Sequence, residues 1–409
     1  MKKTSNSKEF QQSLVKDTFS QIQEMVRNQM RGAMLATAMQ LFDEEVERLC
    51  GPKFSRKNKD HFHRGGSDDG SIVMNGQRIS VKKPRVREDG EEIQLATYSA
   101  LRDYDLLCEK VMKHMIVGVS TRNYDGLLDE VSGGTGLSKS SVSAAFVKSS
   151  QSALDEINSR DLSGHEFIAI MIDGIGFGDR LVIAALGITT KGKKMIIGLR
   201  EGDTENSQVC KDLLQSFFDR GLNTAMPPLF VIDGSKALKK AIRKVFGALV
   251  PIQRCIRHKE RNIISYLHKD FHDEFYRKWK KLHGSVDYEM AKKEYHELLD
   301  WLSKINQAAA SSLEEAEMET LTVVKLKTPA LLRATLASTN PIESAFSTVS
   351  DKSKRIKNWK SGPSQVSRWA AMTLLAAEKR FKTIKGFNQI PQLEKELRNY
   401  FLENHDQVA

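Results

Sequence analysis

The 409-residue chain predicts an α/β fold, a mixed sheet core interrupted by an all-helical insertion and preceded by a mainly helical N-terminal region. Three observations predict it. The run FIAIMID (Phe167 to Asp173) is apolar at successive positions, as a strand covered on both faces requires. RLVIAALGIT and KKMIIGLREG follow, joined by Thr190-Lys191-Gly192 at hairpin spacing. Strand and helix then alternate: helix ENSQVCKDLLQSFFDRG, strand LFVID, helix KALKKAIRKVFG and strand ALVPIQR. Three consecutive strands followed by βα units is the order of a ribonuclease-H-like core.

The remaining segments are read in chain order. Residues 1–50 carry apolar positions at helical spacing and stop at Gly51-Pro52, a helical region suited to dimerisation. Residues 51–100 form a small basic β- or loop-rich segment. There QRISVKKPRVR alternates like an exposed strand between Asn75-Gly76 and Asp89-Gly90. Residues 101–160 hold three short helical patterns. The last pair, split by a Gly-rich turn before Ser138-Lys139-Ser140-Ser141, reads either as a helix-turn-helix or as a plain helical hairpin. Residues 161–261 form the first part of the core, 262–328 the helical insertion, and 329–409 the second part of the core with C-terminal helices.

Composition narrows the partners. Lys plus Arg is 63 and Asp plus Glu is 52, a net charge of +11 that favours a polyanion through counterion release. No apolar run has the length of a membrane span, and no apolar stretch follows the two N-terminal lysines, so neither a membrane location nor a secretory signal is expected. Cys50, Cys108, Cys210 and Cys255 are scattered without a CxxC pair, which suits a reducing cytoplasm.

Three acidic residues draw the chemistry together. Asp173 and Asp233 each end an apolar strand before a glycine, where open sheets place their ligands. Glu343 follows Asn340-Pro341 at the start of a helix. Taken singly, Asp173 reads rather as a turn residue and Asp233 as a helix N-cap. Glu343, taken singly, reads rather as the capping-box partner of an Asn340 N-cap. Taken together, three carboxylates without a basic partner would repel one another unless cations bound between them. Two Mg²⁺ (or Mn²⁺) ions, about 3.5–4 Å apart, suit hard oxygen ligands and an in-line phosphodiester displacement.

The order of Asp173-Gly174, LVIAALGITTKGKKMIIGLREGDTENS, FFDRGL, LFVIDGSKALKKAI, PIQRCIRHKERNI and STNPIESAFSTVSDKSKRIKNW resembles the Mutator-like bacterial transposases, the family typified by insertion sequence 256. The resemblance spans residues 166–359, and more loosely 64–98. The QRCxxHKxRN and TNxxE segments are its most specific parts. It implies a ribonuclease-H-like core with a helical insertion between the second Asp and the Glu. It also implies that Asp173, Asp233 and Glu343 are a DDE triad, both catalytic and metal-binding. Glu343 lies 110 residues beyond Asp233, and Asp233 only 60 beyond Asp173, so the second gap has room for the insertion. The family acts on the terminal inverted repeats of its own element and on target DNA, often through a circular intermediate. Joining two ends implies a homodimer or a higher synaptic assembly. The tryptophan often found near Gln208-Val209-Cys210 in the family is missing here.

Cys255 and His258 match the family's Cys-x₂-His signature. Zinc needs four ligands and no second pair has matching spacing, so the pair reads as a structural brace or His258 as a DNA contact. Arg254, Arg257, Lys259 and Arg261 beside it read as phosphate contacts or as a solvated helix face. Lys352, Lys354, Arg355, Lys357 and Lys360 follow Glu343 and read as a clamp on the cut strand or as an exposed basic face. Trp279 and Trp301 read as core or as a platform for a flipped base. The expected function is metal-dependent cleavage and strand transfer during DNA transposition. Its rivals are a nuclease of the same fold and a transposase-derived DNA-binding protein without catalysis.

Overall fold

The computed structural model describes residues 32–33, 35–53, 61–74, 77–102, 139–178, 180–202, 207–223, 226–354 and 364–405, together with Met25 and Trp359. The chain divides into two compact units, residues 1–146 and 147–409.

In the first unit a helix over residues 35–50 (α1) packs on a three-stranded antiparallel sheet. The strands β1 (Phe62–Met74), β2 (Gln77–Glu88) and β3 (Glu91–Ile93) pair in chain order. Phe42 and Val46 of α1 meet Ile72, Val81, Val86 and Tyr98 in the core, so the alternating QRISVKKPRVR segment is a half-buried strand. Pro84 sits opposite Ser67, where the register shifts, a position that tolerates its missing N–H. The Glu45 carboxylate accepts from the backbone N–H groups of Ala96 and Thr97 at 2.8 and 2.9 Å. Those are orphan donors of the short helix α2 (Ala96–Arg102), and α1 and α2 are thereby tied together.

Most of the helix-turn-helix expectation, residues 103–138, lies outside the described residues. Its last helix, α3 (Lys139–Ser159), is continuous for 21 residues. Near the end of α3, Ile157 is fully buried, and Asn158 Oδ1 accepts from the backbone N–H of Leu199 and from Arg200. That end is therefore committed to packing.

The second unit is built on a five-stranded sheet ordered β6-β5-β4-β7-β8. Strands β4 (Phe167–Phe177), β5 (Arg180–Thr189) and β6 (Lys194–Gly202) pair antiparallel with one another in chain order. Strands β7 (Leu229–Ile232) and β8 (Ile252–Arg254) lie parallel beside β4. The expected hairpin turn between β5 and β6 closes through Gly192, whose N–H donates to Thr189. On one sheet face Ile170, Ile172, Ile183, Phe230 and Ile232 pack with Leu213, Leu214 and Phe217 of α4 (Ser207–Asp219) and Leu238 and Ile242 of α5 (Lys236–Phe246). Each such buried side chain contributes about 1.5–3 kcal/mol.

After β8 comes α6 (Ile256–Ile264), and then helices alone: α7 (His272–Gly284), α8 (Tyr288–Ile305), α9 (Gln307–Glu314) and α10 (Thr322–Lys325). The short α11 (Ala330–Leu336) leads into α12 (Asn340–Ser353), which packs against β4. Helix α13 (Gln365–Glu378) packs against β5 and β6, and α14 (Ile390–His405) ends the described chain. Among the described residues no helix is long and apolar enough to cross a membrane.

Candidate active site

Asp173 is not the end of its strand, as its sequence context suggested. β4 runs on to Phe177, with Asp173 paired to Ala184 of β5. What ends at Ile172 is the parallel ladder to β7, whose last pair with β4 is Ile172 and Ile232. Asp173 and Asp233 each follow one member of that pair. Asp173, inside β4, is therefore level with Asp233, the first residue beyond β7. Side chains alternate along a strand, and Ile172 and Ile232 belong to the core facing α4 and α5. The alternation turns Asp173 to the opposite face, where α12 covers β4, while Asp233 opens the bend that follows β7.

Asp233 is not a helix N-cap. Ser235 fills that position, accepting from the N–H of Leu238, while Asp233 Oδ1 accepts from the N–H of Ser235 at 3.0 Å. Gly234 between them has φ +131, and a Cβ there would fall 2.1 Å from Arg254 Nη1. Only glycine lets the chain turn here beside that guanidinium.

The capping-box expectation for Glu343 is also corrected. The N-cap of α12 is Thr339 rather than Asn340, and no side chain caps the helix. Glu343 Oε1 instead accepts from the Thr339 hydroxyl at 2.8 Å, and Oε2 accepts from Arg261 at 3.1 Å. His258 Nδ1 lies 3.7 Å from Oε1.

Burial first, then the charges of Asp233 and Glu343, push the Asp173 carboxyl up to about 7; His258 and the Gly174 N–H pull the other way. The Asp173 carboxyl thus feels both other acids. His258 is pushed up to about 9, chiefly by its hydrogen bond with Cys255, helped by Asp173 and Glu343, and so stays protonated at neutral pH. Burial raises the Cys255 thiol, but hydrogen bonds with His258 and Thr339 overcome this and leave it below the usual thiol range.

The basic residues of the QRCIRHKER segment separate into two kinds. Arg254 and Lys259 are 3% and 2% exposed. Arg254 pairs with Glu315 and Glu319 at 3.2 and 3.6 Å, and Lys259 donates to Glu315 and to the Ser312 carbonyl. The phosphate-contact expectation does not carry to these two, because both cations are enclosed and already neutralised. They latch the helical segment after α6 onto β8. Arg257 and Arg261 share the exposed face of α6, four residues apart. Lys354 is exposed and paired with Asp351 at the end of α12. At 1.5 Å per residue it lies about 16 Å along the helix from Glu343, too far to share a phosphate with it. Arg355, Lys357 and Lys360 lie outside the described residues. Trp279 is buried and stacked on Phe275, so it is core; Trp301 is partly buried against Phe271.

Thr339 opens the TNxxE segment, but nothing in the sequence assigned it a role. It is fully buried, its N–H donates to Cys255 Sγ, and its hydroxyl reaches Cys255, His258 and Glu343. Its place directly before Asn340-Pro341 was the available signal. Glu315 and Glu319 carried none, since nothing in a charged helical stretch marks which acids turn inward.

Two donor sets could hold metal. Asp173, Asp233 and Glu343 offer hard oxygens. Ligand atoms of Cys255, His258 and Glu343 all lie within 4.8 Å of one another, the one group of three so tightly gathered among the described residues. Asp173, Asp233 and Glu343 are not gathered within that distance.

Comparison with known proteins adds a consistent identity. The family described as "Transposase, Mutator family" matches residues 1–382. The chain is 28% identical over 282 residues to the transposase for insertion sequence element IS6120 of Mycolicibacterium smegmatis, covering 66% of this chain and 83% of that one. It is 25% identical over 349 residues to the transposase for IS1201 of Lactobacillus helveticus, covering 81% and 90%. It is 29% identical over 216 residues to the transposase for IST2 of Acidithiobacillus ferrooxidans, covering 52% and 70%.

Proposed function

Because the chain belongs to the Mutator family of transposases, we propose that it cuts and joins DNA at one site formed by Asp173, Asp233 and Glu343. The observation that carries the proposal is the level placement of Asp173 and Asp233 across β4 and β7, with Asp173 raised to about 7 by burial and by the other two acids. Mutual repulsion of this kind is relieved when cations sit among the carboxylates. The donor set fits Mg²⁺ or Mn²⁺, which would activate the attacking oxygen and stabilise the leaving one.

The chain's own residues do the rest. β4 and β7 hold two carboxylates on a rigid sheet, and the first turn of α12 supplies the third. Arg261 and protonated His258 put positive charge beside Glu343, where a scissile phosphate would approach. Exposed Arg257 is available to the backbone of the same strand. Water serves as nucleophile for cleavage and the freed 3′-hydroxyl for joining, so no protein–DNA covalent bond forms. The sheet order β6-β5-β4-β7-β8, with helices on both faces, supports a ribonuclease-H-like reading of the core. The helices between α6 and α11 would be its insertion. The substrates on this reading are the terminal inverted repeats of the chain's own element and a target duplex, with two copies bridging the ends.

The test incubates the full chain with Mg²⁺ and labelled duplexes carrying the element's ends. Nicked and joined strands are expected, and both disappear in Asp233→Asn. Nicking that survives that substitution removes the proposed site. Binding without nicking by the unaltered chain would instead support a DNA-binding protein without catalysis.

A further inference from the structure

Glu343 belongs to two groups at once. One is the carboxylate set, and the other is the cluster with Cys255 and His258. A tetrahedral ion with bonds of about 2.0–2.3 Å sets its ligand atoms about 3.3–3.8 Å apart. His258 Nδ1 and Glu343 Oε1 already stand 3.7 Å apart, and Cys255 Sγ completes the triangle within 4.8 Å of both. The Thr339 hydroxyl touches all three, at 3.3 Å from Sγ, 3.3 Å from Nδ1 and 2.8 Å from Oε1. It caps the triangle with one more oxygen.

The backbone makes this convergence rigid. The N–H of Cys255 donates to Ile232, next to Asp233, and the N–H of Ile256 donates to Ala337, two residues before Thr339. The start of α6 and the start of α12 are thereby stitched together at the sheet edge. Cys255 is fully buried, while His258 and Glu343 are partly exposed, so an ion can enter from their side.

We propose that Cys255, His258 and Glu343 form a second, softer cation site that takes zinc, and that zinc held there withdraws Glu343 from the carboxylate site. Thiolate and imidazole select zinc over magnesium, whereas three oxygens do the reverse. One glutamate cannot serve both ions in full, so zinc acts as an inhibitor of the magnesium-dependent reaction. The first half of the proposal stands on geometry alone. The second half rests on the catalytic role proposed above for Glu343.

The test for the first half uses Co²⁺ as a spectroscopic substitute for zinc, added to the metal-free full chain without DNA. One equivalent is expected to produce a thiolate-to-cobalt charge-transfer band, which Zn²⁺ then abolishes. Cys255→Ser should lose the band, and His258→Ala should weaken Co²⁺ binding by at least about tenfold. Thermal melts accompany both variants. Should Cys255→Ser fail to fold, the partly exposed His258→Ala and Glu343→Gln carry the test. No band in the unaltered chain, or a band indifferent to these substitutions, overturns the site.

The second half is read by titrating Zn²⁺ into the nicking assay at fixed Mg²⁺. Cys255→Ser should need at least about tenfold more zinc for half-inhibition than the unaltered chain. Equal inhibition of both overturns the sharing of Glu343. An intact cobalt band in a chain that never nicks DNA would place the failure in the catalytic reading, and the inhibition claim would fall with it.

Discussion

Burying Asp173 beside two other acids has a consequence that can be measured without DNA. Its carboxyl holds a proton up to about pH 7 in the fold, against 3.8 for an ordinary aspartate, so the native chain binds more protons than the unfolded one between those values. Stability therefore falls as pH rises through that window, by at most about 4 kcal/mol for a shift of this size. Asp173→Asn removes the ionisation while preserving shape. It should raise the melting temperature of the metal-free chain at pH 8, by an amount equivalent to about 1–3 kcal/mol, and abolish nicking. A melting temperature lower than the unaltered chain's would count against the electrostatic account. The same proton must leave before a cation can bind. Mg²⁺ affinity should accordingly fall by up to about tenfold per unit below pH 7, as calorimetric titrations at pH 6 and pH 8 would register.

At the scale of elements, α6 does two jobs on opposite faces. Lys259 points inward to Glu315 and the Ser312 carbonyl, while Arg257 and Arg261 point outward. The two faces should separate in experiment. Lys259→Ala leaves Glu315 with one fewer partner and should lower the thermal midpoint by several degrees, as a loss of about 3 kcal/mol does. Arg261→Ala should leave the midpoint within a degree or so and reduce nicking. The reverse pattern would exchange their roles. The turn after β7 is equally constrained. Gly234→Ala forces a left-handed φ on a residue with a Cβ and drives that Cβ into Arg254, itself held by Glu315 and Glu319. A loss of about 1–3 kcal/mol in chemical denaturation is expected. Asp233 would also shift, so activity should fall further than stability.

For the whole molecule the relevant quantity is charge. A chain with net charge +11 that tracks duplex backbone should bind it through released counterions. Each neutralised phosphate contributes about −0.9 to the slope of log affinity against log salt, so contact with six gives about −5. Fluorescence anisotropy across a salt series would measure this. A slope near zero would argue that the positive surplus is not aimed at DNA. Asp173→Asn, which removes a negative group from the site, should bind at least as tightly as the unaltered chain while cutting nothing.

The linear chain carried its element order openly, because strand and helix periodicities are local properties. FIAIMID, LVIAALGIT and LFVID could hardly be anything but buried strands, and the charged stretch after α6 kept a helical period throughout. The chain also marked Asp173, Asp233 and Glu343 as candidates, since acids beside glycines or a helix start stand out against apolar runs. Three things belonged to tertiary structure alone. The parallel ladder that stops at Ile172 and Ile232 makes Asp173 a mid-strand residue level with Asp233, and strand pairing is invisible in local sequence. Arg254 and Lys259 look like their neighbours Arg257 and Arg261, yet Glu315 and Glu319, some sixty residues later, draw them inside. The meeting of Cys255, His258, Thr339 and Glu343 depends on two helix starts being stitched at one sheet edge. Local periodicity decides which elements form, but only long-range packing decides which side chains share a low-dielectric space, and that is where charge becomes chemistry.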